Sequence, residues 1–273
     1  MNKLIRGISY HIESEGDGEP LLAIHGFTGS LSTWQFLQPS LTDRFRIIRI
    51  DVIGHGETGS PADPRRYSMA EAAFDLAALL DHLHLDRAHV LGYSMGGRLA
   101  LSFACLHPER VKSLILESAS PGLELEKLRQ ERRRHDTDLA NFILKNGIRA
   151  FVDRWENIPL FTSQNKLTVD QKTALRKQRL ANHESGLACS LIGMGTGAQP
   201  SWWNRLETLS QPVLLITGEQ DRKFCTIADQ MNRRLANSAW RVVKNTGHAV
   251  HLEDPSTFAG LVRTFLIKQS RSR

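Results

Sequence analysis

Ser94 sits in Gly92-Tyr93-Ser94-Met95-Gly96, behind an apolar run (Ala88, Val90, Leu91) and at the head of a helical pattern. A strand turning sharply into a helix forces such a serine onto an elbow that exposes its hydroxyl. The small residues at 92 and 96 let the flanking backbones close around it. Alone, a serine hydroxyl is a poor nucleophile or base at neutral pH; it needs a histidine to take its proton and an acid to hold that histidine. Both occur downstream. Asp221 ends Gly218-Glu219-Gln220-Asp221 after the apolar run 212–217, and His248 ends Thr246-Gly247-His248 after the run 240–243. Together the three side chains can carry out proton abstraction or acyl transfer.

The order Ser94, Asp221, His248 is that of the α/β-hydrolase triad, not of the chymotrypsin or subtilisin arrangements. Asp51 and Glu117 also stand near strand ends and compete for the acid's role, but the Gly-Glu-Gln-Asp context favours Asp221. Upstream, the short run 21–24 leads into His25-Gly26-Phe27-Thr28-Gly29, a post-strand loop placed to donate one oxyanion-hole N–H from Phe27. Met95 supplies the second. His25 and His55 read as loop-holding residues.

These loops need a parallel sheet to hold them. Residues 8–12 alternate apolar and polar, 45–50 is β-rich, and 111–116 is a further strand. Ser68-Met69-Ala70-Glu71 has capping-box form. Met69, Ala72, Ala73, Leu76, Leu80 and Leu83 then recur at helical spacing. The helix after Ser94 runs to Leu106, before Pro108. Strands separated by helices predict a mainly parallel, doubly wound sheet.

At Ser120-Pro121-Gly122 the alternation stops. From 122 to 205 the pattern is helix after helix, and strand character returns only at Val213. The expected organisation is an α/β-hydrolase core of residues 1–121 and 206–273 with a helical lid at 122–205. The lid holds 14 Lys and Arg against 9 Asp and Glu, and so carries +5 of the chain's net +6. Arg132-Arg133-Arg134, Arg176 and Arg179 lie within it. Such runs are often solvated faces, yet a net-positive lid also suits a substrate with several carboxylates, which arginine forks bind bidentately. Arg98, one turn after Ser94 on the same helix face, either covers core surface with its stem or faces the same pocket. Trp155 and Tyr93 are each open to a packing or a pocket-lining role.

The 273 residues are 41% apolar and 23% charged, ordinary for a soluble globular chain. No apolar segment at the start of the chain resembles a secretion signal, and no run approaches the length of a membrane span, so a cytoplasmic protein without membrane insertion is expected. Cys105, Cys189 and Cys225 have no metal-ligand spacing. The glycine-rich 193–197 follows no strand and is not a dinucleotide site. Nothing suggests a phosphate loop or a nucleic-acid module, no pattern sets an oligomeric state, and the Arg271–Arg273 end reads as solvated.

With these residues in hand, the chain resembles one α/β-hydrolase family over essentially its whole length: the 2-succinyl-6-hydroxy-2,4-cyclohexadiene-1-carboxylate synthases (MenH) of menaquinone and phylloquinone biosynthesis. Gly92-Tyr93-Ser94-Met95-Gly96-Gly97-Arg98-Leu99-Ala100 carries the resemblance, with Ser118-Ala119-Ser120-Pro121-Gly122-Leu123, Arg154-Trp155-Glu156 and Pro159-Leu160-Phe161. Gly195-Thr196-Gly197, Gln199-Pro200 and the run 218–224 continue it. The resemblance implies that Ser94, activated by His248 and Asp221, takes a ring proton instead of attacking a carbonyl, and that pyruvate is eliminated. It implies substrate contacts at Tyr93, Arg98, Arg132, Trp155 and Arg179, with Arg132 preferred among the three consecutive arginines for its spacing to Asp136. The substrate is then a small polycarboxylate, and no metal or organic cofactor is implied. Two other readings use the same residues: a serine hydrolase of small anionic esters, and a non-catalytic ligand receptor on a hydrolase fold.

Overall fold

The computed structural model describes residues 1–271. Arg271 is exposed, while Ser272 and Arg273 lie outside the described residues. Among the described residues eight strands form one sheet: β1 (Asn2–Ile5), β2 (Ile8–Glu15), β3 (Glu19–Ile24), β4 (Phe45–Ile50), β5 (Ala88–Tyr93), β6 (Val111–Glu117), β7 (Val213–Gly218) and β8 (Ser238–Val243). Their spatial order is β1-β2-β4-β3-β5-β6-β7-β8. From β4 to β8 neighbouring strands pair in parallel; only β1 and β2 run antiparallel to their neighbours.

The helices are α1 (Gln38–Leu41), α2 (Met69–His82), α3 (Met95–Leu106), α4 (Glu126–Trp155), α5 (Val169–Leu180), α6 (Glu184–Met194), α7 (Arg222–Arg234), α8 (Val250–Glu253) and α9 (Pro255–Ser270). Leu21, Leu22, Ala23 and Ile24 of β3 are all wholly buried, as are Val90 and Leu91 of β5. A strand covered on both faces reads as a continuous apolar run, and this is why the central strands show no alternation. One apolar cluster joins α2 and α3 to one face; another joins Trp34, Phe258, Val262 and Leu266 to the opposite face.

One strand lies outside the sequence pattern, and one local expectation needs correction. β1 carries no pattern that announces a strand; it pairs with β2 across Arg6-Gly7, both at positive φ (45° and 81°), as a two-residue hairpin turn requires. Ser68 does cap α2 by accepting the Glu71 N–H at 3.2 Å. Glu71 does not close the reciprocal half of the box, because its carboxylate accepts from Arg6 at 2.8 Å instead. An arginine 65 residues away in sequence outcompetes the local amide.

Between β6 and β7 the regular elements of the chain are all helical, from α4 to α6 with short 3-10 turns at Pro159–Lys166 and Trp203–Thr208. Gly147 (φ 80°, ψ 168°) breaks α4 into two arms, and the Ile148 N–H left over by the break donates to Glu184 at 3.2 Å. Ala140, Ile143, Phe151 and Val152 of α4 pack on Leu187, Ala188 and Leu191 of α6, giving this segment an apolar centre of its own. Among the described residues, no helix is long and apolar enough to cross a membrane.

Candidate active site

Ser94 occupies the turn between β5 and α3 with φ 50° and ψ −106°, a strained backbone for a residue with a side chain. The turn is possible because its flanks are bare. A Cβ on Gly92 would lie 2.3 Å from the Gly96 carbonyl oxygen, and a Cβ on Gly96 would lie 2.3 Å from that of His25. The Ser94 N–H donates to the Glu117 carbonyl at 2.8 Å, which ties the elbow to the end of β6.

His248 Nδ1 lies 2.6 Å from Asp221 Oδ2, and Nε2 lies 3.0 Å from Ser94 Oγ. A carboxylate can only accept here, so Nδ1 carries the hydrogen and Nε2 is left to accept from the serine hydroxyl. Asp221 also caps α7, its Oδ1 accepting the Phe224 N–H at 3.3 Å. The Gln220 N–H donates to the Thr246 carbonyl at 2.9 Å, so the acid's loop and the histidine's loop are joined by backbone. Phe224 and Tyr93 pack on the imidazole with ring centroids 4.6 and 5.4 Å away.

The two rival acids are engaged elsewhere. Asp51 accepts from the Leu31 and Glu57 amides (2.6 and 2.9 Å) and pairs with His11 at 2.9 Å. Glu117 is wholly buried and pairs with His251 at 2.8 Å. His25 holds its loop: Nδ1 donates to the Gly26 carbonyl, and Nε2 accepts the Val52 N–H at 3.0 Å. His55 is buried beside it, and burial, then the neighbouring His25, lowers its pKa to about 3. The Phe27 and Met95 amides have no acceptor among the described residues.

A cavity of about 420 Å³ opens above the serine, between the carboxyl edge of the sheet and the helical segment. Ser94, His248, Phe27, Met95, Tyr93, Arg98, Arg132 and Trp155 all line it. Arg98 donates through Nη1 to the Met194 carbonyl (2.7 Å) and to Gln199 (2.9 Å). Its Nε and Nη2 have no acceptor among the described residues, which leaves one edge of the fork free. Burial, then repulsion from Arg132, lowers the Arg98 pKa to about 9, with Asp136 acting in the opposite sense; it remains a cation at neutral pH. Arg132 donates through Nε to the buried Asp136 at 2.8 Å. Burial, and next the Glu117 carboxylate, holds the Tyr93 phenol well above its usual range. Trp155 Nε1 is buried without a hydrogen-bond partner.

Arg179 is not brought into this cavity. It lies behind Phe161, with its guanidinium 5.2 Å from that ring, and lines a neighbouring cavity of about 50 Å³ with Tyr93 and Phe161. The reason is packing: Arg179 is a buried residue of α5 held toward Gln164 (3.3 Å) and Glu156 (4.0 Å). Two further arginines of the segment are taken up by acids. Arg133 binds Glu126 and the Gly197 carbonyl, and Arg176 binds both Asp153 and Glu156. Phe161, Phe224, Met194 and Gln199 complete the surroundings of His248 and Arg98; all but Met194 lie in motifs shared with the family, yet no spacing pattern gives them a role, because their partners are distant in sequence.

The alpha/beta hydrolase fold family matches residues 19–255. A putative 2-succinyl-6-hydroxy-2,4-cyclohexadiene-1-carboxylate synthase of Bacillus subtilis (strain 168) is 48% identical over 95% of both chains. The chain belongs to the family of these synthases. The synthase of Pectobacterium atrosepticum is 31% identical over 90% of this chain and 93% of its own. The solved structure of MenH from S. aureus superposes with a TM-score of 0.91 at 35% identity, covering 96% of this chain and 99% of that one. Like its relatives, this member of the family is an enzyme of the lyase type.

Proposed function

We propose that this synthase eliminates pyruvate from 2-succinyl-5-enolpyruvyl-6-hydroxy-3-cyclohexene-1-carboxylate to give 2-succinyl-6-hydroxy-2,4-cyclohexadiene-1-carboxylate, in menaquinone or phylloquinone biosynthesis. The observation that carries the reading is the unbroken chain Asp221–His248–Ser94 facing a cavity walled by Arg98 and Arg132. Ser94 Oγ takes a ring proton as its own hydrogen passes to His248 Nε2. Asp221 then stabilises the imidazolium that forms and keeps the ring in one tautomer. The electrons of the broken ring C–H bond form the new ring double bond, the existing one shifts, and the bond to the enolpyruvyl oxygen breaks with its pair on that oxygen. The pyruvate enolate so released takes up the proton held by His248, which restores the triad.

Negative charge gathers on the succinyl carbonyl during proton removal. The unengaged Phe27 and Met95 amides are the donors for it, and such a donor contributes about 2.7–4 kcal/mol. The free edge of Arg98 and the two Nη groups of Arg132 receive substrate carboxylates. In a cavity from which water is displaced, charge-assisted bonds of this kind are at their strongest. Tyr93 and Trp155 line the same wall with their rings, and Arg179 reaches the substrate only if Phe161 moves aside. Residues 122–205 act as the lid, on a core of 1–121 and 206–273.

The test is an assay that follows diene absorbance and pyruvate together with the enolpyruvyl substrate. Equal yields of both, lost in Ser94→Ala, are expected. If the parent enzyme cleaves small anionic esters far faster than it releases pyruvate, the hydrolase reading takes its place. Tight binding without turnover would favour a receptor.

A further inference from the structure

Glu253 is the last residue of α8, and its carboxylate is wholly buried although it lies just beyond the catalytic loop. Its two oxygens bond to both the histidine loop and the helical segment. Oε2 accepts the Gly247 N–H at 2.8 Å, one residue before His248. Oε1 accepts the Ser163 hydroxyl at 2.9 Å, and Lys166 stands 3.0 Å from Oε2. Ser163 and Lys166 belong to the 3-10 turn Pro159–Lys166 of the helical segment, and Lys166 also donates to the Asn245 carbonyl on the histidine's side.

The two surfaces meet without a gap. A Cβ on Gly247 would lie 2.0 Å from Ser163 Oγ and 2.7 Å from its Cβ, so only glycine lets the histidine loop sit this close. The same 3-10 turn carries Phe161, which lines the cavity, faces the His248 ring at 6.4 Å and edges Trp155 at 5.7 Å. A buried carboxylate with three donors from two segments resists sliding of either one, because displacement leaves charged or polar groups unpaired in a dry site.

We infer that Glu253 is a positioning residue that latches the helical segment to the histidine loop, so that the cavity wall at Phe161 and the imidazole of His248 are set in register by one carboxylate. It touches neither substrate nor reacting atoms and acts through Gly247 and Ser163. The inference rests on the proposed role of His248 in activating Ser94. In the open arrangement of a lid freed from this latch, the wall would move and the imidazole would lose its fixed distance to the serine.

The experiment compares the full-length wild type with Glu253→Gln, Ser163→Ala and the double variant. It measures the rate of Ser94 modification by a fluorophosphonate, kcat and KM for pyruvate release, and the melting temperature. Glu253→Gln is expected to slow both Ser94 modification and kcat by about 10-fold or more, the loss of a charged hydrogen bond. Ser163→Ala is expected to raise KM more than it lowers kcat, because it frees the wall and leaves the Gly247 bond in place. The double variant should be no worse than Glu253→Gln alone. A lower melting temperature with modification rate, kcat and KM all within about twofold of wild type would overturn the latch and leave Glu253 a stabilising residue only. If Glu253→Gln does not fold, Ser163→Ala decides alone, and an unchanged KM overturns it. A wild type that is modified at Ser94 yet releases no pyruvate overturns the elimination reading instead, and the modification rates still decide the latch.

Discussion

The carboxyl edge of the sheet and the helical segment above it both surround the cavity, but they place charge by different means. At the sheet edge each functional group is set by backbone: Ser94 by a strained turn between two glycines, Asp221 by capping α7, His248 by a loop bonded to the acid's loop. In the helical segment the arginines are set by one another's partners. Arg133 and Arg176 are spent on Glu126, Asp153 and Glu156, whereas Arg132 keeps part of its fork free toward the cavity. Net charge therefore says that a region is basic, and only the pairing says which cations a substrate can meet. Surface pairs contribute little stability either way.

The sharpest way to break this contrast is at the edge. Ser94→Ala, His248→Ala and Asp221→Asn should each lower kcat by about 10²–10⁴-fold, the span of general base catalysis, while circular dichroism stays that of the parent. Because the three act as one proton-transfer unit, Ser94→Ala/His248→Ala should be barely worse than either single change. Strictly additive losses would mean that the hydrogen-bonded chain is not used as a unit.

Next in size is Arg98, which sits on the edge but serves the substrate. Arg98→Ala should cost about 1.5–3 kcal/mol per charged hydrogen bond in kcat/KM. Arg98→Lys should recover only part, since an ammonium cannot hold Met194, Gln199 and a carboxylate in one plane. Arg133→Ala is the matched change in the helical segment, and it should alter kcat/KM by less than about twofold, as for an exposed pair. Equal losses at both positions would show that general positive potential, not a placed fork, does the binding.

A smaller effect separates them by pH. Arg98 is a cation whose pKa is lowered to about 9, so its charge begins to fade as pH rises toward that value. KM for the acidic substrate should climb as the pH passes about 9, and the climb should be absent in Arg98→Ala; initial rates across that range check it. The smallest expected effect is on stability. His55 stays neutral in the folded protein down to about 3, whereas an unfolded histidine takes up a proton near 6.5. The unfolded state thus binds the extra proton between those values, and stability should fall as pH drops from about 6.5 toward 3. A His55→Gln protein should show a shallower fall in melting temperature over that window.

Much of the frame could be read from local pattern. Apolar runs bounded by turns marked β3, β5, β6 and β7 because a strand buried on both faces has no choice of residue type. The elbow was legible because a serine at positive φ demands small neighbours on both sides, a requirement written within five letters. The order of the triad and the length of the helical insertion follow from connectivity alone. Those features depend on residues adjacent in the chain, or on sequence order.

What needed the folded chain were matters of partnership. Glu71 left its cap for Arg6, Arg179 turned behind Phe161, and Glu117 chose His251, each through a contact between residues far apart in sequence. The sequence by itself determined which groups could do chemistry and which strands must carry them, since turn geometry and burial act locally. Tertiary structure alone decided which charges stay free, because ion pairs form through space and each pairing depends on every competing donor and acceptor that packing brings within reach.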